Sequence, residues 1–155
     1  MVKRFDFKLQ GVLDLIRMKE DLLGQDLAKL LRELLAEKNK LEIFKNDYND
    51  TRLRLEEELT ENLDLKKISF FNDYLRFIDK EIKDKKKLVM LMEEVVAIKR
   101  KELEKVMKDK NVMDKLKGRK LTEYNSDVLR QEQKVIDEIG TQRFIYKKGV
   151  MGSGN

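Results

Sequence analysis

The 155-residue chain contains no cysteine, histidine, tryptophan or proline. Without Cys or His there is no zinc site of the usual ligand set, no Cys or Ser–His nucleophile system and no disulfide. A reducing, cytosolic setting fits that usage. At background usage of about 5% a chain of this length would carry roughly eight prolines, so their absence, beside a surplus of Lys, Glu, Leu and Asp, predicts long uninterrupted helices. Long apolar runs are missing too. The longest is Leu88 to Met92, far short of the ~18 residues that span a bilayer, and the stretch Met1 to Lys8 lacks the apolar core of a secretory signal. No transmembrane segment and no secretion by the common route are expected.

Charge is what the chain has in abundance. Charged residues make up 42%, with 35 basic against 30 acidic side chains and a net charge of +5. The excess is local: Arg76 to Lys120 holds 16 basic and 9 acidic residues. Such a segment suits an acidic protein surface, a lipid headgroup layer or a nucleic acid backbone. Its interspersed acids make a solvated helix the default reading, and no nucleic acid partner is expected.

Apolar residues in the first third recur at heptad spacing in two series. One is Leu13, Glu20, Leu27, Leu34, Leu41, Tyr48 and Leu55; the other is Leu9, Ile16, Leu23, Leu30, Glu37, Phe44 and Thr51. Eleven of these fourteen positions are apolar, a persistence that marks a coiled-coil seam rather than the stripe of a globular helix. After the polar break Thr60 to Asp64, suited to capping and turning, the seam resumes. Ile68, Leu75, Ile82, Val89, Val96 and Leu103 form one series, and Phe71, Ile78, Lys85, Met92, Lys99, Val106 and Met113 its partner. Lys85 and Lys99 are expected to snorkel from the seam edge. A late series, Leu121, Val128 and Val135, is shifted by one residue near Gly118.

One short break between two long seams predicts an all-α antiparallel coiled-coil hairpin, because a few residues can only fold the chain back on itself. We expect a single domain over residues 1–148, with helix 1 about 7–58, a turn about 59–67, helix 2 about 68–146 and a disordered tail over 149–155. Pairing about a turn near residue 63 brings Leu9 opposite the region of Lys117. From about Leu121 to Tyr146 helix 2 is then left without a partner and projects as an overhang.

Apolar residues off the seam call for another explanation. Phe70, Tyr74 and Phe77 form an aromatic group beside Phe71 near the turn, either closing the end of the coil or offering a docking surface. Val12, Leu15 and Leu22 also fall off the seam, and the middle is expected to show no comparable surplus. No Gly-rich phosphate loop, metal-binding carboxylate spacing or catalytic constellation emerges. The chain is therefore not expected to be an enzyme, and no cofactor or metal is expected.

The N-terminal stretch Phe5-Asp-Phe-Lys-Leu-Gln-Gly-Val-Leu-Asp-Leu-Ile-Arg17 resembles the start of the flagellar FliJ family. The stretch Arg130-Gln-Glu-Gln-Lys-Val-Ile-Asp-Glu-Ile139 followed by Arg143 is similar to the family's Glu-Gln-Lys-x-x-Asp-Glu signature. Phe44-Lys-Asn-Asp-Tyr48 and Tyr74-Leu-Arg-Phe-Ile78 fall where the family has an aromatic-bearing helix end. The resemblance covers Phe5 to about Tyr146. It implies a stalk-like component of the bacterial flagellar type III export apparatus. The implied partners are the hexameric export ATPase, the cytoplasmic domain of the export gate and the export chaperones. The implied location is the cytoplasm, peripherally at the inner face of the cell membrane at the flagellar base.

By the same resemblance Gln131, Glu132, Gln133, Lys134, Asp137, Glu138 and Arg143 would contact the ATPase, although Gln133 with Asp137 and Lys134 with Glu138 also form helix-stabilising i,i+4 pairs. Phe44, Tyr48, Phe70, Tyr74 and Phe77 would contact the gate. Phe44 and Tyr48 occupy seam positions and are expected in the core, whereas Tyr74 and Phe77 are off it. The alternatives are the equivalent stalk protein of a virulence secretion injectisome, or a generic coiled-coil scaffold or basic surface binder.

Overall fold

The structure, a computed structural model, describes residues 3–152, with side chains through residue 150. It consists of two helices, α1 (Gln10–Glu61) and α2 (Leu65–Gly152), of 52 and 88 residues. There is no strand among the described residues. The segment expected as a tail is helical as far as Gly152, and its last three residues lie outside the described ones. The two helices pack against each other antiparallel, as the seam pattern requires.

The reversal between them is three residues long. The Glu58 carbonyl accepts from the N–H groups of both Asn62 and Leu63, at 3.3 and 2.9 Å, which satisfies one of the orphan acceptors at the end of α1. Leu63 then adopts a left-handed backbone, with φ 44°. Asp64 caps α2: its Oδ1 accepts from the Lys66 N–H at 3.1 Å while its carbonyl accepts from Ile68 at 2.9 Å, the geometry that makes Asp a favoured N-cap.

The chain divides into two compact units, residues 18–106 and residues 1–17 with 107–155. In the first of these, Leu34 and Leu41 of α1 pack with Val89 and Val96 of α2, and Leu27, Leu30, Leu31, Ile82 and Met92 border this core. Ile78 is fully buried and Thr51 nearly so. Every seam position named above that falls in this unit is buried or half-buried.

The two charged seam residues near its centre answer each other. Lys85 Nζ donates to Glu37 Oε2 at 2.7 Å, with Lys40 on the other oxygen at 3.3 Å. The hydrogen bond from Lys85, ahead of the contribution of Lys40, holds the Glu37 carboxyl below its ordinary range. Lys85 thus reaches a seam partner, whereas Lys99 turns to Glu102 one turn away at 3.7 Å. Antiparallel register shows in the pairs: the numbers of Tyr74 and its partner Asp47 total 121, and those of Lys38 and Glu93 total 131.

The other unit joins the N-terminal segment to the far part of α2. Phe7 is buried, and its carbonyl accepts from Gln10 at 2.9 Å to start α1. Phe5 lies against Tyr124 with ring centres 5.5 Å apart, and the Tyr124 hydroxyl donates to the Lys3 carbonyl. Arg17 pairs with Asp114 at 3.1 Å. Leu13 is fully buried, while Leu9, expected on the seam, stands 41% exposed. Beyond this anchoring, residues 131–150 of α2 are exposed throughout.

Candidate functional site

Two surfaces of this fold carry the residues expected to make contacts, one in each unit. In the unit of residues 18–106 the first turns of α2 present a ladder of rings. Phe70 stacks on Tyr74 at 6.3 Å between centres with planes 3° apart, Tyr74 follows with Phe77 at 6.4 Å, and Phe71 meets Phe70 edge-on at 6.1 Å. Spacings of three and four residues place successive rings on one helix face. The ladder is tied down at its middle. The Tyr74 hydroxyl donates to Asp47 Oδ2 of α1 at 2.7 Å, and that hydrogen bond, with burial and the carboxylate charge behind it, raises the Tyr74 hydroxyl above its ordinary range.

The outer members are open to solvent, Phe70 at 65% and Phe77 at 56%. They do not close over the turn, since Leu63 and Leu65 are themselves exposed. Phe44 and Tyr48 are half-buried on α1, as their seam positions require, and neither is in ring contact with the ladder among the described residues. Tyr48 borders a shallow depression with Lys45, Asn49, Asp79, Ile82 and Lys86. The structure therefore groups Phe70, Tyr74 and Phe77 and sets Phe44 and Tyr48 apart.

The second surface is the exposed end of α2. Gln131, Glu132, Gln133, Lys134, Asp137, Glu138 and Arg143 all face solvent. Gln133 Nε2 donates to Asp137 Oδ1 at 3.0 Å and Thr141 to the Asp137 carbonyl at 2.8 Å. The expected Lys134–Glu138 pair does not form among the described residues. At about 100° per residue these seven side chains are spread round the helix rather than gathered on one side. What does align is apolar: Leu121, Val135, Ile139 and Tyr146 recur along one face, all exposed. The signature drew attention to the charges, and the heptad series ending at Val135 was the sign of this row.

A third set of residues corrects the sequence reading. The middle of the coil does carry an exposed apolar surplus, Leu88, Leu91, Val95 and Ile98 on α2. Two of these, Leu88 and Leu91, sit in the Leu88–Met92 run, where seam residues Val89 and Met92 mask the second row.

No group of acidic side chains suited to a metal ion occurs among the described residues. No helix there is long and apolar enough to cross a membrane. Two long antiparallel helices packed along a heptad seam, with aromatic and apolar rows left exposed beside it, define a two-helix coiled-coil protein. The comparison with family models agrees, with the model described as Flagellar FliJ protein matching residues 5–149. The chain belongs to the FliJ family and is a component of flagellar type III protein export. No curated protein and no solved structure matches it.

Proposed function

We propose that the protein acts as a stalk-like element of the export apparatus: the end of α2 binds the hexameric export ATPase and promotes its assembly or activity, and the aromatic ladder binds the cytoplasmic domain of the export gate. It works in the cytoplasm, peripherally at the membrane beneath the flagellum, and assists export chaperones. The observation that carries this reading is the exposure of residues 131–150 on every side of α2. A single helix about 10–12 Å across, with an apolar row and charges all round, suits a ring of subunits that surrounds it. The Phe70–Tyr74–Phe77 ladder supports the gate contact, since aromatics held rigid and exposed are typical anchors of protein interfaces.

The test is co-purification with the export ATPase of the same genome, using the full chain and a form ending at Arg130. That end point keeps Tyr124 and its hold on the N-terminal segment. Loss of ATPase assembly or stimulation in the short form, with gate binding retained, is the expected result. Full activity of the short form would remove the end of α2 from the mechanism.

A further inference from the structure

The row Leu88, Leu91, Val95 and Ile98 belongs neither to the seam nor to the aromatic ladder. Its members fall at i, i+3, i+7 and i+10, the spacing with which one helix presents knobs to another. They are between 39% and 60% exposed. The buried seam residues Val89 and Val96 lie one step round the helix, so the row is a second seam beside the one α1 fills. It ends at charged positions, Asp84 before and Glu102 after, and so runs for about three turns, or ~15 Å.

Along its outer edge Lys80, Lys87, Glu94 and Lys101 recur every seven residues, all exposed. The three lysines form no ion pair among the described residues. In a coiled coil, flanking positions of this kind choose the partner by charge.

We propose that this face docks an amphipathic helix of another protein, with an apolar stripe that meets Leu88 to Ile98 and acidic residues that meet Lys80, Lys87 and Lys101. A basic residue is accommodated only opposite Glu94. A second copy of this chain does not fit. Aligning Leu88 of one copy antiparallel with Ile98 of the other sets Lys87 against Lys101 and Glu94 against its own equivalent, so like charges face along the whole edge. A lipid surface fits less well than a helix, because the row is short, keeps heptad spacing and has Glu94 in its basic flank, where an interfacial helix would present cations without interruption. This docking face is independent of the ATPase and gate contacts, which use other residues.

The test uses the full chain and two synthetic three-heptad helical peptides with the same Leu and Ile stripe, one flanked by Glu and the other by Lys. The Glu-flanked peptide is expected to bind at least about tenfold more tightly than the Lys-flanked one, and the margin to shrink with added salt. Lys87→Glu with Lys101→Glu inverts the preference. Leu91→Asp with Val95→Asp abolishes binding of both peptides while leaving far-ultraviolet circular dichroism unchanged, because both residues are exposed. If that second variant unfolds, the inversion by the first decides. Failure of the Glu-flanked peptide to bind, equal binding of both, or no inversion overturns the proposal. So does binding of phosphatidylglycerol vesicles through these residues in place of the peptide, or a dimer in sedimentation that Leu91→Asp with Val95→Asp dissolves.

Discussion

Neighbouring residues on α2 give a sharp test of which apolar side chains hold the coil together and which are offered to a partner. Ile78 is fully buried and Phe77, the next residue back, is 56% exposed. Truncating a buried Ile to Ala removes its transfer energy and leaves a cavity, together about 2–5 kcal/mol. A two-helix coil can partly close such a gap, so about 3 kcal/mol is expected for Ile78→Ala. Fully burying a Phe is worth about 1.5–3 kcal/mol, and Phe77 buries less than half of its surface, so Phe77→Ala costs about 1 kcal/mol or less. At about 2–4 °C per kcal/mol for a chain of this size, Ile78→Ala lowers Tm by about 6–12 °C and Phe77→Ala by under about 4 °C. Thermal and urea unfolding followed by circular dichroism measure both. The same Phe77→Ala protein should bind the gate domain more weakly at a temperature where it is fully folded. Equal destabilisation by the two substitutions would make Phe77 a structural residue and sink the assignment of the ladder to a partner.

Two more outcomes follow from the turn and the seam. Leu63 holds a left-handed backbone and an exposed side chain; relief of about 1–2 kcal/mol of strain, less the ~0.5–1 kcal/mol that glycine loses in entropy, should make Leu63→Gly stabilising by about 0.5–1 kcal/mol. A lower urea midpoint for that variant would contradict the turn geometry. The Glu37 carboxyl is held below its ordinary value of 4.5, first by its hydrogen bond from Lys85, so the unfolded chain takes up its proton more readily than the folded one. The stability it contributes is present above pH 4.5 and is lost as pH falls from there through the lowered folded value. The gap in unfolding free energy between the native chain and Glu37→Gln should therefore be widest at neutral pH and narrow on the acid side, and a gap that does not change with pH would show that the pair does not form.

Most of the fold was legible because it follows from two periodicities and one interruption. The heptad series named positions such as Leu34, Leu41, Val89 and Val96, and these form the core. The polar break pointed to capping chemistry, and Asp64 performs it. Helix ends were less legible. The expected turn of about 59–67 contracts to three residues between Glu61 and Leu65, because Leu63 takes a conformation that sequence would normally assign to glycine. Lys85 looked like a side chain escaping the seam, and only the register of α1 against α2 places Glu37 within reach of it.

The candidate surfaces were partly legible for a different reason. A seam is defined by what is buried, so each remaining apolar residue can be recognised only after the seam has been subtracted. That subtraction succeeds near the turn, where Phe70, Tyr74 and Phe77 are aromatic and conspicuous. It fails in the middle of α2, where Val89, Met92 and Val96 on the seam alternate with Leu88, Leu91 and Val95 off it, and a run of aliphatic residues reads as one stripe. Burial separates the two rows. The consequence is physical as well as diagnostic. A helix with adjacent seams holds one partner in its own chain and leaves the other row, with Lys80, Lys87, Glu94 and Lys101 along its edge, to specify a second partner by charge.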